Sequence, residues 1–184
     1  MRRLFSLIII VLCILLTNFN SYPKEDIKFY ISPNMIFFSD SIGIGVTAGV
    51  DVEIGYSKFS PSDSISISPE LSLNFSQADR NYFSYISLKL VPSYQLLVYS
   101  FEKKYSVILR FGTGIGFSIL NANTGSLSGS GIGLSFEPVV GVLYNFLENL
   151  WTGLEFRYIV MTDIYYKVTP VISPSIAISL AVKF

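Results

Sequence analysis

The acidic side chains best spaced for chemistry are Asp51 and Glu53. They are two residues apart, so they share one face of an extended strand. A carboxylate pair of this kind can act as general acid and general base. Glu155 and Arg157 have the same spacing with opposite charges. Both pairs also suit a plainer role as ion pairs that stabilise the interior of the fold, and we favour that interpretation.

The composition removes most other catalytic arrangements. The 184 residues include no histidine, which excludes imidazole bases and histidine metal sites. The glycine-rich segments GTGIG (112–116) and GSGIG (129–133) lack the lysine and the following helix of a phosphate loop. We interpret them as strand glycines. The sequence therefore predicts a protein that is not an enzyme, with no catalytic residues, no cofactor and no metal.

The N-terminal stretch has the pattern of a secretory signal. Two arginines precede an unbroken apolar run from Leu7 to Leu16, and polar residues follow. The run is shorter than the roughly 20 residues that span a bilayer. We predict a signal peptide over 1–21 and one domain over 22–184. An uncleaved inner-membrane anchor stays an alternative. The only cysteine, Cys13, lies in this stretch, so the exported domain has no disulfides.

The charge content is low and balanced. Thirteen basic residues match thirteen acidic ones, which gives no general basic face for nucleic acid. Charged residues make up 14% of the chain, whereas about 25% is usual in soluble domains. The composition therefore points away from a water-soluble surface.

Apolar and polar residues alternate almost throughout the chain after the signal. Seven breaks rich in turn-forming residues divide it into eight segments, and most of these exceed ten residues. Ordinary strands average five or six residues, while transmembrane strands need about nine to eleven. The predicted strands are 28–38, 43–56, 64–76, 82–99, 105–120, 132–146, 151–161 and 169–184.

The two faces of these strands differ in kind. One face is uniformly apolar, and the other is dominated by Ser, Gly and Ala. Every mid-strand charge falls on the small, polar face. With Lys28 and Lys183 near strand ends, this face holds five acids and five bases. The mid-strand charges are Asp51, Glu53, Glu70, Lys89, Arg110, Glu137, Glu155 and Arg157.

This distribution favours an inside-out barrel. A soluble barrel would present Lys, Glu and Thr to water, whereas here the polar face suits a narrow lumen and the apolar face suits lipid. Backbone in lipid must satisfy all its hydrogen bonds, so the sheet has to close. Eight strands leave an interior that side chains can fill. We predict an all-β, eight-stranded antiparallel up-and-down transmembrane β-barrel in contact with outer-membrane lipid.

The lumen charges are expected to pair across strands, because a narrow interior stabilises an unpaired charge poorly. We predict one network of Arg110, Glu137, Glu155 and Arg157 that blocks the lumen, and a second pair of Glu70 with Lys89. Prolines on the apolar side are expected at bulges or beyond the last ladder bonds. They are Pro33, Pro69, Pro92, Pro138, Pro170 and Pro174.

The segment FEPVVGVLYNFLENLWTGLEFRYI (136–159) resembles the small outer-membrane β-barrels that include the membrane domain of outer-membrane protein A and proteins X and W. RFGTGIGF (110–117) is similar to their glycine-rich fifth strand. The resemblance implies residence in the outer membrane of a diderm bacterium, with a structural or passive small-solute role. The alternative it leaves open is a surface-exposed interaction protein. The enzymes of this family rely on histidine, so the resemblance also implies no enzymatic activity.

The resemblance further implies an assembly signal in the last strand, formed by Leu180, Val182 and Phe184 and read by the barrel-assembly machinery. The outer loops at 39–42, 77–81 and 162–168 are short compared with those of proteins A and X. Residues 121–131 form the longest predicted outer segment and the candidate contact for an external ligand. A simple solvated loop is the other interpretation of this segment.

Overall fold

The computed structural model describes residues 19–20, 27–37, 42–57, 62–78, 81–101, 105–123, 128–147, 149–163 and 171–183. Eight long strands match the eight predicted segments one for one. They are β1 Ile27–Phe37, β2 Ile42–Ser57, β3 Ser64–Ala78, β4 Asn81–Phe101, β5 Tyr105–Asn123, β6 Ser128–Leu147, β7 Leu150–Asp163 and β8 Val171–Lys183.

Each strand pairs antiparallel with the next in sequence, and β1 also pairs with β8, which closes the ring. The predicted all-β, up-and-down fold of eight antiparallel strands is confirmed. A two-residue strand, Phe19–Asn20, adds to β2 through Ser57 and Tyr56. The division into a signal peptide (1–21) and a barrel domain (22–184) stays a prediction.

The outer surface of the ring is apolar. Large hydrophobic side chains point outward and are exposed, up to 66% at Ile44 and 63% at Leu88. Five of the exposed aromatic residues lie near one rim, as in the aromatic girdles of membrane barrels: Phe29, Tyr99, Phe101, Tyr105 and Tyr144. The described residues include no helix long and apolar enough to cross a membrane, a finding without bearing on strands.

The longest predicted outer loop is shorter than expected. Residues 121–123 and 128–131 belong to β5 and β6, where Asn121 pairs with Ser130 and Ala122 with Gly129. Small side chains let this hairpin continue past the predicted strand ends. Gly129 has a φ of 140°, which favours glycine because it has no Cβ. Only 124–127 lie outside the described residues in this segment.

The strand prolines do not occupy the bulges expected for them. The ladder to one of the two neighbouring strands is interrupted at each proline and then continues in the same register, while the ladder to the other neighbour is unbroken. This holds at Pro33, Pro69, Pro92 and Pro138. Each proline lacks an N–H and so removes a ladder bond to one neighbour without shifting the strand. The skipped positions fall in alternate seams: β8–β1, β2–β3, β4–β5 and β6–β7. Pro174 lies at the end of the β8–β1 ladder, and Pro170 lies outside the described residues.

The register shifts lie elsewhere, just before the turns at one end of the barrel. They lie between Glu53 and Gly55, between Leu97 and Tyr99, and between Asn145 and Leu147. Each shift occurs in an even-numbered strand shortly before its turn into the next strand. We call this end periplasmic because the predicted outer loops at 39–42, 77–81, 121–131 and 162–168 lie at the opposite end.

Asp63 stabilises one of these shifts. It lies just before β3 and is buried. Its Oδ1 accepts a hydrogen bond from the Leu97 N–H at 3.2 Å, and its Oδ2 accepts one from the Tyr94 hydroxyl at 2.6 Å. One carboxylate thus satisfies a backbone donor where the β4 ladder is irregular and ties the preceding turn to that strand.

Replacing Asp63 with alanine should lower the free energy of unfolding by roughly 1–3 kcal/mol, the cost of leaving a buried donor unsatisfied. The measurement is a urea titration in lipid vesicles. Asp63→Asn keeps one acceptor oxygen and should lose less. Equal stability of Asp63→Ala and wild type would show that water replaces the carboxylate at no cost.

Candidate functional site

The inward faces of the strands bring charged side chains together at mid-lumen, with Arg157 of β7 at the centre. Its guanidinium donates to Glu70 of β3 (Nη1–Oε2, 2.6 Å), to Glu137 of β6 (Nη1–Oε1, 3.1 Å) and to Glu155 of its own strand (Nη2–Oε2, 2.5 Å). These four side chains are no more than 1% exposed. One fork therefore joins three carboxylates from three strands.

Arg110 of β5 joins the same cluster from the other side of Glu155. Its Nη1 donates to Glu155 Oε1 at 2.8 Å. Its Nε donates to the hydroxyl of Ser93 at 3.2 Å, and its Nη2 to that of Ser68 at 3.0 Å. The guanidinium carbon also lies 5.8 Å from the ring centroid of Tyr30, within cation–π range. Glu155 is thus held between two arginines.

Lys89 of β4 completes the cluster, and here the arrangement differs from the predicted pairs. Lys89 and Glu70 are register partners, but their closest atoms, Nζ and Oε2, are 3.8 Å apart. Lys89 Nζ lies closer to Glu137 Oε2, at 2.5 Å. There is therefore one network of three bases and three acids, which we call the charge network: Glu70, Lys89, Arg110, Glu137, Glu155 and Arg157.

Asp51 and Glu53 do not act together. Asp51 accepts hydrogen bonds from Ser68 Oγ at 2.6 Å and Gln95 Nε2 at 2.9 Å. Glu53 instead faces Lys28, with 3.8 Å between Oε2 and Nζ. Each of the two carboxylates therefore has its own partners.

Sequence reasoning missed the neutral groups that complete the polar lumen. The Tyr30 hydroxyl donates to Glu70 Oε1. The Tyr30 side chain lies over Gly49 of the next strand, where an added Cβ would be 2.5 Å from the hydroxyl oxygen. Gln95 also donates to Ser66 at 2.9 Å. Alternation does place Tyr30 and Gln95 on the inner face, so strand parity was the available signal.

The outer end of the lumen is closed by apolar packing, which the polar character of the inner face did not predict. The side chains of this cluster are at most 5% exposed. They lie near the strand ends opposite to the periplasmic turns and beyond the charge network. We call them the outer cluster: Ile36, Phe83, Tyr85, Leu120, Ala122, Ile159 and Met161.

The chemistry of the site is electrostatic and structural. In the charge network each carboxylate contacts at least one cation within 3.1 Å, so its oxygens accept hydrogen bonds from Arg or Lys. Among the described residues, no group of three or more possible ligands is arranged to hold a metal ion.

The structure describes two of the three residues of the predicted assembly signal. Leu180 and Val182 point outward on β8 and are 51% and 39% exposed. Phe184 lies outside the described residues. The role of these three residues in assembly stays a prediction.

Comparison with known proteins supports the fold. The sequence matches no protein-family model and no curated protein. The structure is similar to that of Neisserial surface protein A (13% identity, 87% of this chain and 97% of that chain, TM-score 0.58). It is also similar to the outer membrane enzyme PagL (11% identity, 83% and 98%, TM-score 0.57) and to the N-terminal β-barrel domain of Pseudomonas aeruginosa OprF (11%, 86% and 97%, TM-score 0.51).

The chain therefore has the fold of the small outer-membrane β-barrels, as its sequence predicted. A closed ring with an apolar outside and a charged inside is stable only where lipid surrounds it. Its architecture is that of an integral outer-membrane β-barrel.

Proposed function

We propose that the protein is a non-enzymatic outer-membrane barrel with a structural role and a closed, charge-paired lumen. The observation that carries this proposal is the charge network, in which six side chains meet across the lumen with at most 4% exposure each. Ions cannot pass such a network without breaking several short ion pairs. The absence of histidine supports the non-enzymatic part of the proposal.

The outer cluster forms a second barrier in series with the first. Its apolar side chains pack where the lumen would have to open to the outside, and a dewetted apolar constriction excludes ions. Passive transport of small solutes would require both layers to open. This favours the structural role over passive solute passage.

Conductance in planar bilayers tests the proposal. Wild-type protein should give almost no single-channel conductance. Arg110→Ala weakens the charge network, and the pair Phe83→Ala with Met161→Ala thins the outer cluster. Either change alone should leave the barrel nearly closed, while the triple variant should show resolved channels, because the two barriers act in series.

Phe111→Ala, on the lipid face, is the matched control and should not conduct. A difference in gel migration between unheated and boiled samples (heat-modified migration), which closed barrels show, confirms that each variant is folded. Large, stable conductance of the wild type would contradict a closed lumen. Full opening by Arg110→Ala alone would show that the outer cluster is no barrier.

An interaction role through residues 121–131 has less support. Asn121 and Ser130 are hydrogen-bonded to each other at 3.0 Å, as in an ordinary solvated hairpin. Contact with the barrel-assembly machinery through Leu180, Val182 and Phe184 stays part of the proposal for biogenesis rather than for function.

A further inference from the structure

A cavity opens on the periplasmic side of the charge network. It is a small cleft that is partly open to solvent. Lys28, Trp151, Leu143 and Ala181 are among the residues that line it, and Arg110 and Glu155 of the charge network form part of its wall. The cavity is therefore reached from the periplasm and stops at the network.

Lys28 brings an incompletely satisfied cation to this cavity. Its side chain is buried, with 7% of the residue exposed. An ammonium group has three donors. The Glu53 carboxylate is 3.8 Å away, beyond hydrogen-bond distance, and the ring centroid of Trp151 is 4.8 Å away. Both groups attract the positive charge of Lys28, but neither accepts a hydrogen bond from its ammonium group.

Trp151 adds a second donor to the same cavity. Its indole Nε1 is buried and has no hydrogen-bond partner among the described residues. An indole N–H can only donate, and leaving a buried donor unpaired is unfavourable. Lys28 of β1 and Trp151 of β7 therefore line the same cavity. The described residues supply no acceptor for the indole N–H.

The other charged groups of the lining are already paired. Asp51 accepts hydrogen bonds from two neighbouring side chains. Arg110 and Glu155 are hydrogen-bonded to each other at 2.8 Å. Lys28 is therefore the charged group of the lining that makes no hydrogen bond with the described residues.

The lining also has an apolar part, beside the polar Tyr30, Asp51 and Thr152. Leu143 and Ala181 contribute hydrocarbon, and Trp151 contributes its ring. We propose that the periplasmic mouth of the barrel binds a small amphipathic anion. Its carboxylate or phosphate group would accept from Lys28 and Trp151, while a short apolar body would pack against Leu143 and Ala181. Binding at this site does not depend on whether the lumen conducts.

The fluorescence of Trp151 provides a direct readout, because it is the only tryptophan in the chain. Folded protein in detergent micelles is titrated with hexanoate, and separately with hexanamide and hexylamine, which have the same chain length. Hexanoate should give a saturable change in emission, and the neutral and cationic analogues should not. Hexyl phosphate and inorganic phosphate then distinguish an alkyl anion from a free anion.

Three variants locate the site and give changes of opposite sign. Lys28→Gln should weaken hexanoate binding about tenfold or more, since it removes the charge-assisted bond. Ala181→Leu should weaken it by filling the cavity without changing charge. Glu53→Gln should strengthen it several-fold, because a competing carboxylate is lost. A purely structural effect of mutation at the mouth would not produce tighter binding.

Lys103→Gln, in the break between β4 and β5, is the matched control and should bind as wild type.

Several results would overturn the proposal. They are the absence of a saturable change with hexanoate and the phosphates, equal binding of hexanamide, and unchanged affinity in Lys28→Gln and Ala181→Leu. If Lys28→Gln fails to show heat-modified migration, the Ala181→Leu and Glu53→Gln results decide the question alone.

Discussion

Replacing Arg157 with alanine should destabilise the barrel more than any other single substitution in the lumen. The change leaves three carboxylates, Glu70, Glu137 and Glu155, without the guanidinium that lies within 3.1 Å of each. Removing one partner of a buried ion pair costs roughly 3–5 kcal/mol because the remaining charge stays buried. The measurement is the free energy of unfolding from urea titration in lipid vesicles.

Two companion variants separate charge from geometry. Arg157→Lys keeps the charge but loses the fork that reaches several carboxylates at once, so its loss should be intermediate. The double variant Arg157→Ala with Glu155→Gln should lose less free energy of unfolding than the sum of the two single changes. Glu155→Gln removes one of the carboxylate charges that Arg157→Ala leaves unpaired. Strictly additive losses would show that these groups do not interact and that the lumen is filled with water.

The sequence was sufficient to place the charges on the inner face and to predict the four-residue network, but not to show that Glu70 and Lys89 belong to it. Strand parity alone assigns Glu70 and Lys89 to the same face, and their register makes them direct neighbours. Long inward side chains, however, extend towards the barrel axis, where they meet side chains from strands across the lumen. Lys89 therefore contacts Glu137, and Glu70 contacts Arg157, at distances that the sequence cannot indicate.

The apolar part of the lumen was missed for a different reason. Phe83 and Met161 fall on the inner face by alternation, but the prediction treated that face as dominated by Ser, Gly and Ala with a few charges. Near the outer strand ends, large apolar side chains fill the lumen in place of ion pairs. The register shifts, such as the one between Leu97 and Tyr99, were also missed, because each lies so close to its strand end that few residues beyond it carry the changed parity.

Placing an arginine at Leu88 should produce the second large effect, this time on the lipid face. Leu88 is 63% exposed and is the partner of Leu71 and Phe117, both within the central parts of β3 and β5. Its side chain therefore lies near the middle of the membrane, where an arginine costs about 2–4 kcal/mol. Phe101→Arg, at the periplasmic end of β4, is the matched control. It should cost about 0–1 kcal/mol, because a long side chain at that level reaches the interface.

Leu88→Ala separates the loss of apolar surface from the gain of charge, and unfolding in lipid vesicles measures all three variants. The difference between Leu88→Arg and Phe101→Arg depends on depth alone, since both positions face outward on one strand. If the outer face met water, as in a soluble barrel, arginine would be tolerated equally at both positions. Equal stability of these two variants would therefore contradict a lipid-facing surface, while a loss confined to Leu88→Arg would locate the hydrocarbon core at the level of Leu88.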